Sequence, residues 1–234
     1  MTKFLKNLYR LILIGTPFSI ILDYIKNFLP NYKTKKKSLI IENNIYRKFV
    51  SYKENEKWFC NNLYFLNNYF KNTTHIKKIL EIGSYEGRSA VFFLKTFNDS
   101  HITCVDTWSG SDEHQNYNFN IIENNFDINT NSFQMKKRLN KIKDNSNNFF
   151  ENNSEYYDLI FVDGDHSHTQ LKIDIDNSWK KLNYGGYLIL DDYLWWFYKN
   201  LKNNPASPIN EFIKKNKSEI LTFKIWQQVI IKKK

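Results

Sequence analysis

The sequence predicts an open α/β fold: a mostly parallel sheet with helices on both faces. Two observations carry this. Short aliphatic runs, Ile79–Ile82, Ile102–Val105, Leu159–Val162 and Tyr187–Leu190, are almost continuously apolar rather than alternating, as strands buried on both faces are. Between them apolar residues recur at helical spacing: Ala90, Val91, Phe93, Leu94 and Phe97 after the first run, then Leu171, Ile175, Trp179 and Leu182 after the third.

Residues 1–40 read as a helical extension and 41–234 as the main domain. The apolar run Leu11–Leu22 is broken at Gly15, Thr16 and Pro17, and is shorter than the roughly 20 residues a spanning helix needs. Two short amphipathic helices flanking Pro17 are therefore predicted, covering the core or making a homo-oligomer contact. Contact with a membrane surface through residues 1–30 is the alternative. Lys3, Lys6 and Arg10 imitate a secretory signal, but no small-residue cleavage site follows. Asn31–Lys37 is expected to be a linker. From about residue 43 to 72, Phe49, Trp58, Phe59, Leu63, Leu66 and Phe70 recur at three and four and predict a helix. Ile220–Phe223 and Val229–Ile231 predict a closing hairpin.

The 234 residues, 41% hydrophobic and 17% aromatic, suit one large domain and exclude a disordered chain. Two cysteines, Cys60 and Cys104, make neither a disulfide framework nor a thiolate zinc site, and a reducing cytoplasm is the expected compartment. The formal charge of +10 admits nucleic acid as a partner. Yet 32 Asn against 2 Ala is the bias of an AT-rich coding sequence, which supplies lysine without selection for phosphate binding.

What ends each strand is informative. The first carries Glu81 and runs into Gly83; the others end in Asp106, Asp163 and Asp191-Asp192. In a parallel sheet these ends share one carboxyl edge, where ligands of open α/β sheets bind. Carboxylates crowded there raise each other's pKa unless a cation or ligand hydroxyls satisfy them. The turn Glu81–Ala90 offers Gly83 and Gly87 for close backbone approach, with Ser84 and Ser89 as hydroxyl and backbone donors at a helix start. Its G-x-x-x-G spacing differs from the pyrophosphate fingerprint and suits a nucleoside without pyrophosphate. Asp106, 19 residues beyond Gly87, stands where an acid accepts ribose hydroxyls.

On these residues, EIGSYEGRSA over Glu81–Ala90 resembles motif I of class I S-adenosylmethionine-dependent methyltransferases, especially the catechol O-methyltransferase-like group. Phe161–Ser167 and Leu190–Tyr193 are similar to the small-molecule family that includes macrocin O-methyltransferases. The resemblance spans about residues 76–194 and implies a Rossmann-like, seven-stranded sheet whose last strand is antiparallel. It implies that Glu81, Gly83 and Ser89 hold the methionine part of the cofactor, that Asp106 binds its ribose and Ser146 sits near its adenine, and that Ser84, Tyr85, Gly87, Thr107, Trp108 and Asp163 also belong to the cofactor site. It further implies a divalent cation, Mg²⁺ or another, on Asp163, Asp191 and Asp192.

Three carboxylates without a nearby cysteine agree with an oxygen-liganded ion. Asp165 is the first candidate for general base and His166 the second. The lysine that catechol-type members carry there is absent, which argues against a catechol acceptor. The expected activity is O-methylation of a small-molecule or carbohydrate hydroxyl. The rivals are a nucleic-acid methyltransferase and a non-catalytic, membrane-associated cofactor-binding scaffold. Residues 107–131, polar and aromatic, are expected to close over the site, and Trp195–Tyr198 to pack under a loop or stack on the acceptor.

Overall fold

A computed structural model describes residues 2–32, 34–53, 58–112 and 114–234. The helices α1 (Lys3–Leu13) and α2 (Phe18–Tyr32) flank Pro17, as predicted. Helix α3 (Lys35–Ile45) follows almost at once and runs through residue 40, so the expected linker is largely helical. Beyond it a 3-10 turn, Phe59–Asn62, leads into α4 (Leu63–Phe70).

The central part alternates as read from the sequence: β1 (Lys78–Ile82), α5 (Arg88–Thr96), β2 (His101–Asp106), α6 (Phe119–Thr130), α7 (Phe133–Lys136), β3 (Leu139–Lys143), α8 (Ser146–Asn152), β4 (Tyr157–Val162), α9 (His168–Lys181) and β5 (Leu182–Leu190). The chain closes with α10 (Ala206–Lys215), β6 (Ile220–Ile225) and β7 (Val229–Lys233). Seven strands lie in the order β3-β2-β1-β4-β5-β7-β6. The first five pair in parallel; β7 is antiparallel to both β5 and β6. This is a Rossmann-like sheet.

The continuous apolar runs are explained by burial: Leu159, Ile160, Phe161 and Val162 of β4 are covered on both faces. Phe59 packs edge-on against Phe92 and Phe161, at 5.6 and 5.8 Å between ring centroids, tying the 3-10 turn to the core. Strand order reverses between β1 and β4, so the crevice opens at their carboxyl ends.

Two expectations are corrected. The single helix over 43–72 is interrupted: residues 46–53 cross the start of α5 as an irregular strap, and residues 54–57 lie outside the described residues. The strap gains more from tertiary bonds than from helical ones. Tyr46 Oη donates to the Arg88 carbonyl at 2.8 Å, the Arg88 guanidinium lies 4.2 Å from the Phe49 ring centroid, and Val50 N donates to Asn129 Oδ1 at 2.8 Å. The stretch expected to form a lid is half scaffold, since α6 buries Ile122 and Phe126.

Candidate active site

A cavity of about 550 Å³ sits at the carboxyl edge between the β1 and β4 ends. The β1–α5 turn forms one wall. Gly83 has φ +84°, and a Cβ there would stand 2.1 Å from the Asp163 carbonyl oxygen, so only glycine lets the two strand ends approach. Asp106 organises the turn: Oδ2 accepts from Ser84 N at 2.8 Å and Tyr85 N at 2.9 Å, and Oδ1 from Trp108 N at 2.7 Å. Oδ1, with a single bond, keeps acceptor capacity for a ligand hydroxyl. Trp108 itself is buried against Phe126, and its indole N–H donates to the Tyr85 carbonyl at 2.9 Å.

Of the residues expected to bind a nucleoside, Gly83, Ser84, Tyr85, Ser89, Asp106, Thr107, Trp108, Ser146 and Asp163 line this cavity. Glu81 and Gly87 do not. Glu81 lies fully buried beneath the turn, accepting from Ser84 Oγ at 2.6 Å, and burial pushes its pKa up to about 7. Gly87, at φ +82°, sits against Phe126 and Thr130, where the start of α5 meets α6.

Sequence reasoning missed the supports. Buried Glu86 accepts from Asn125 Nδ2 at 2.7 Å and from the strap at Tyr52 N; Asn129 Nδ2 donates to the Glu86 carbonyl at 3.0 Å. Opposite, Gln170 Nε2 donates to Ser146 Oγ, Asn147 Oδ1 and Asp174 Oδ1 at 3.0–3.2 Å. Asp174 is buried, which raises its pKa to about 6. The only sequence signal for this polar wall is the i, i+4 spacing of Gln170 and Asp174 on α9.

The other end of the cavity is acidic. Asp163, Asp165, Asp191 and Asp192 all line it with His166. His166 Nε2 lies 3.6 Å from Asp163 Oδ1 and 3.4 Å from Asp192 Oδ2. One donor atom from each of these three residues falls within 4.8 Å of the others, close enough to share an ion.

Asp191, expected as a ligand, stands outside this cluster. Its carboxylate is buried and accepts the Asp192 backbone N–H at 2.7 Å, and burial and the neighbouring Asp192 push its pKa up to about 7. Burial also raises Asp192, to about 6. Asp165, the first candidate base, accepts from Ser167 N at 2.8 Å and so shapes the turn into α9. The buried His166 ring lies 5.3 Å from that of Trp195, which is stacked on Phe197 at 4.9 Å. Trp195 lines the cavity, as do Trp58, Tyr85 and His114, which pack on one another. Trp196 instead turns toward α1, its indole N–H donating to Asn7 Oδ1 at 3.1 Å.

Residues 80–193 match the family described as a methyltransferase domain. This chain carries a methyltransferase domain over that span. Among solved structures, the methyltransferase is similar to a candidate caffeoyl-CoA O-methyltransferase from Staphylococcus aureus (19% identity, TM-score 0.60, covering 86% of this chain and 99% of that one). It is also similar to the MycE methyltransferase of the mycinamycin biosynthetic pathway in complex with Mg and SAH (12% identity, TM-score 0.57, 84% of this chain and 54% of that one). A third likeness is to an O-methyltransferase from Bacillus cereus in complex with SAH (12%, TM-score 0.53, 86% and 91%). At these identities the likenesses establish the fold alone. Among curated proteins none matches the sequence. Domain and fold together make the chain a methyltransferase.

Proposed function

We propose that this methyltransferase methylates a hydroxyl oxygen of a small-molecule or carbohydrate acceptor, with His166 as general base and a divalent cation at the Asp163–Asp192 pair. The observation that carries this reading is the placement of one imidazole nitrogen between two strand-end carboxylates, on the wall shared with Trp195.

S-adenosylmethionine supplies a sulfonium-activated methyl group when bound, and the cation would lower the pKa of an oxygen it contacts. The chain's own residues do the rest. The turn Gly83–Ser89 and Asp106 bind the nucleoside end, and the polar wall of Ser146 and Gln170 closes the opposite side. Trp195 and Trp58, both lining the cavity, offer flat apolar surfaces to a ring, aromatic or sugar. His166 Nε2, 3.4–3.6 Å from the Asp163 and Asp192 carboxylates, accepts the hydroxyl proton. Asp192, whose carboxyl burial raises, also fits a cation, whose charge would offset that burial. Carboxylate oxygen donors suit a hard ion such as Mg²⁺ better than the imidazole does, leaving the ring for proton transfer.

The same acidic rim disfavours a phosphate backbone at the site, against the nucleic-acid alternative. Transfer of a labelled methyl group from S-adenosylmethionine to a panel of hydroxylated acceptors, with and without EDTA, tests the proposal. Methylation of nitrogen acceptors only, or transfer indifferent to EDTA, would count against it.

A further inference from the structure

We infer that α1 and α2 form an interfacial anchor that lays the enzyme on an anionic membrane surface. This goes beyond the methyl-transfer reading and does not depend on it. The first observation is charge. Residues 1–41 hold eight basic residues (Lys3, Lys6, Arg10, Lys26, Lys33, Lys35, Lys36 and Lys37) and one acidic residue, Asp23. That segment thus carries +7 of the chain's +10, and the remaining 193 residues only +3. Basic residues occur along the whole chain; what sets this segment apart is its single acid, with Lys3, Lys6, Arg10 and Lys26 on α1 and α2 and Lys35, Lys36 and Lys37 beginning α3. The one acid is turned inward: Asp23 Oδ2 accepts from Ile225 N and from Asn27 Nδ2 at 2.6 and 2.7 Å.

The second observation is the apolar surface that accompanies this charge. Helix α1 has three stripes. Asn7 and Leu11 are buried against the domain, while Leu5, Tyr9, Ile12 and Leu13 stand about half exposed on the opposite side. Lys3, Lys6 and Arg10 fall between those stripes by helical spacing. On α2 the i, i+4, i+7 series Phe18, Leu22 and Ile25 is exposed, with Phe18 at 72%, while Ile20 and Tyr24 are buried. The two exposed series meet at the Leu13–Phe18 turn.

Specific bonds fix how the helices sit: Trp196 Nε1 donates to Asn7 Oδ1, and Asn210 Nδ2 to Thr16 Oγ1 at 2.9 Å. The apolar ridge therefore faces outward by construction rather than by fraying. An apolar ridge flanked by lysines, on helices too short and too interrupted to cross a bilayer, matches an interfacial helix. Anionic lipid is the occupant because it satisfies both the ridge and the basic flank, each Lys or Arg near such a surface adding about fivefold to binding.

The test is flotation of the full chain with phosphatidylcholine vesicles, with and without phosphatidylglycerol, together with sedimentation of the protein alone. The chain should float with phosphatidylglycerol-containing vesicles at low salt, remain behind with phosphatidylcholine, and be released as salt rises. Leu13→Ser/Phe18→Ser and Lys3→Glu/Lys6→Glu should each lower the partition about tenfold or more, with unchanged unfolding midpoints because all four side chains are exposed. No flotation with anionic vesicles, or flotation unaffected by both double variants, overturns the inference. So does a stable dimer that Leu13→Ser/Phe18→Ser dissociates, which would assign the ridge to a second copy of the chain.

Discussion

His166 Nε2 lies 3.4 Å from Asp192 Oδ2, so one imidazole joins the segment after β4 to the end of the neighbouring β5. Asp165, adjacent in sequence, turns its carboxylate to the Ser167 amide instead. His166→Gln should therefore lower kcat about 10²- to 10⁴-fold while leaving S-adenosylmethionine affinity within a few fold. Asp165→Asn should cost less than about tenfold, because an amide oxygen still accepts from Ser167. Single-turnover rates for the two variants check this; the reverse order would restore Asp165 as the base.

A cation shared by Asp163 and Asp192 should stabilise the fold. At about 100 times its dissociation constant, Mg²⁺ would add about 2.7 kcal/mol, a rise of about 5–10 °C in Tm for a chain of this size. Asp163→Asn and Asp192→Asn should abolish that rise, and Asp191→Asn should largely keep it, since Asp191 is occupied by the Asp192 amide. Scanning calorimetry with and without Mg²⁺ decides the point without any acceptor.

Glu81 sets a pH dependence of stability. Its folded pKa of about 7 lies above the ordinary 4.5. The folded state thus holds the proton more tightly, a contribution present in full below about pH 4.5 and lost as pH rises through about 7. The loss reaches on the order of 3 kcal/mol at most for a shift of this size. Glu81→Gln should flatten this dependence between pH 5 and 8; denaturant titrations in which both proteins keep the same slope would disprove the assignment.

Gly83 and Gly15 both have positive φ, +84° and +74°, but only Gly83 lacks room for a side chain. Gly15→Ala should cost about 1 kcal/mol of backbone strain. Gly83→Ala must push β1 off the Asp163 carbonyl and should cost several times more, with loss of donor binding. Comparable unfolding midpoints for the two variants would contradict the close approach.

Asp106→Ala removes the acceptor of three backbone amides as well as the proposed ribose ligand. Donor affinity by isothermal titration should fall at least about 100-fold, and stability by about 1–3 kcal/mol. Unchanged affinity would remove Asp106 from the nucleoside site.

Much of the site was legible because strand ends are easy to read. Apolar runs bounded by acids place Asp106, Asp163, Asp191 and Asp192 on one sheet edge whatever the side chains do next. Strand β3 escaped because Leu139–Lys143 is a partly exposed edge strand with only two aliphatic residues, leaving neither a run nor a clean alternation. The strap over residues 46–53 escaped for another reason: its apolar spacing imitates a helix, while Asn129, Glu86 and Arg88, distant in sequence, supply its bonds.

By itself the sequence determined the layered architecture, the acid-lined edge and the glycine turn, because periodicity and strand termination are local properties of the chain. Only the tertiary structure decided which carboxylates face the cavity. Glu81 folds under the turn, Asp191 closes on the next amide, and His166 enters between Asp163 and Asp192. Those choices depend on which donors and how much burial each group meets, and its partners come from strands and loops that sequence spacing does not bring together.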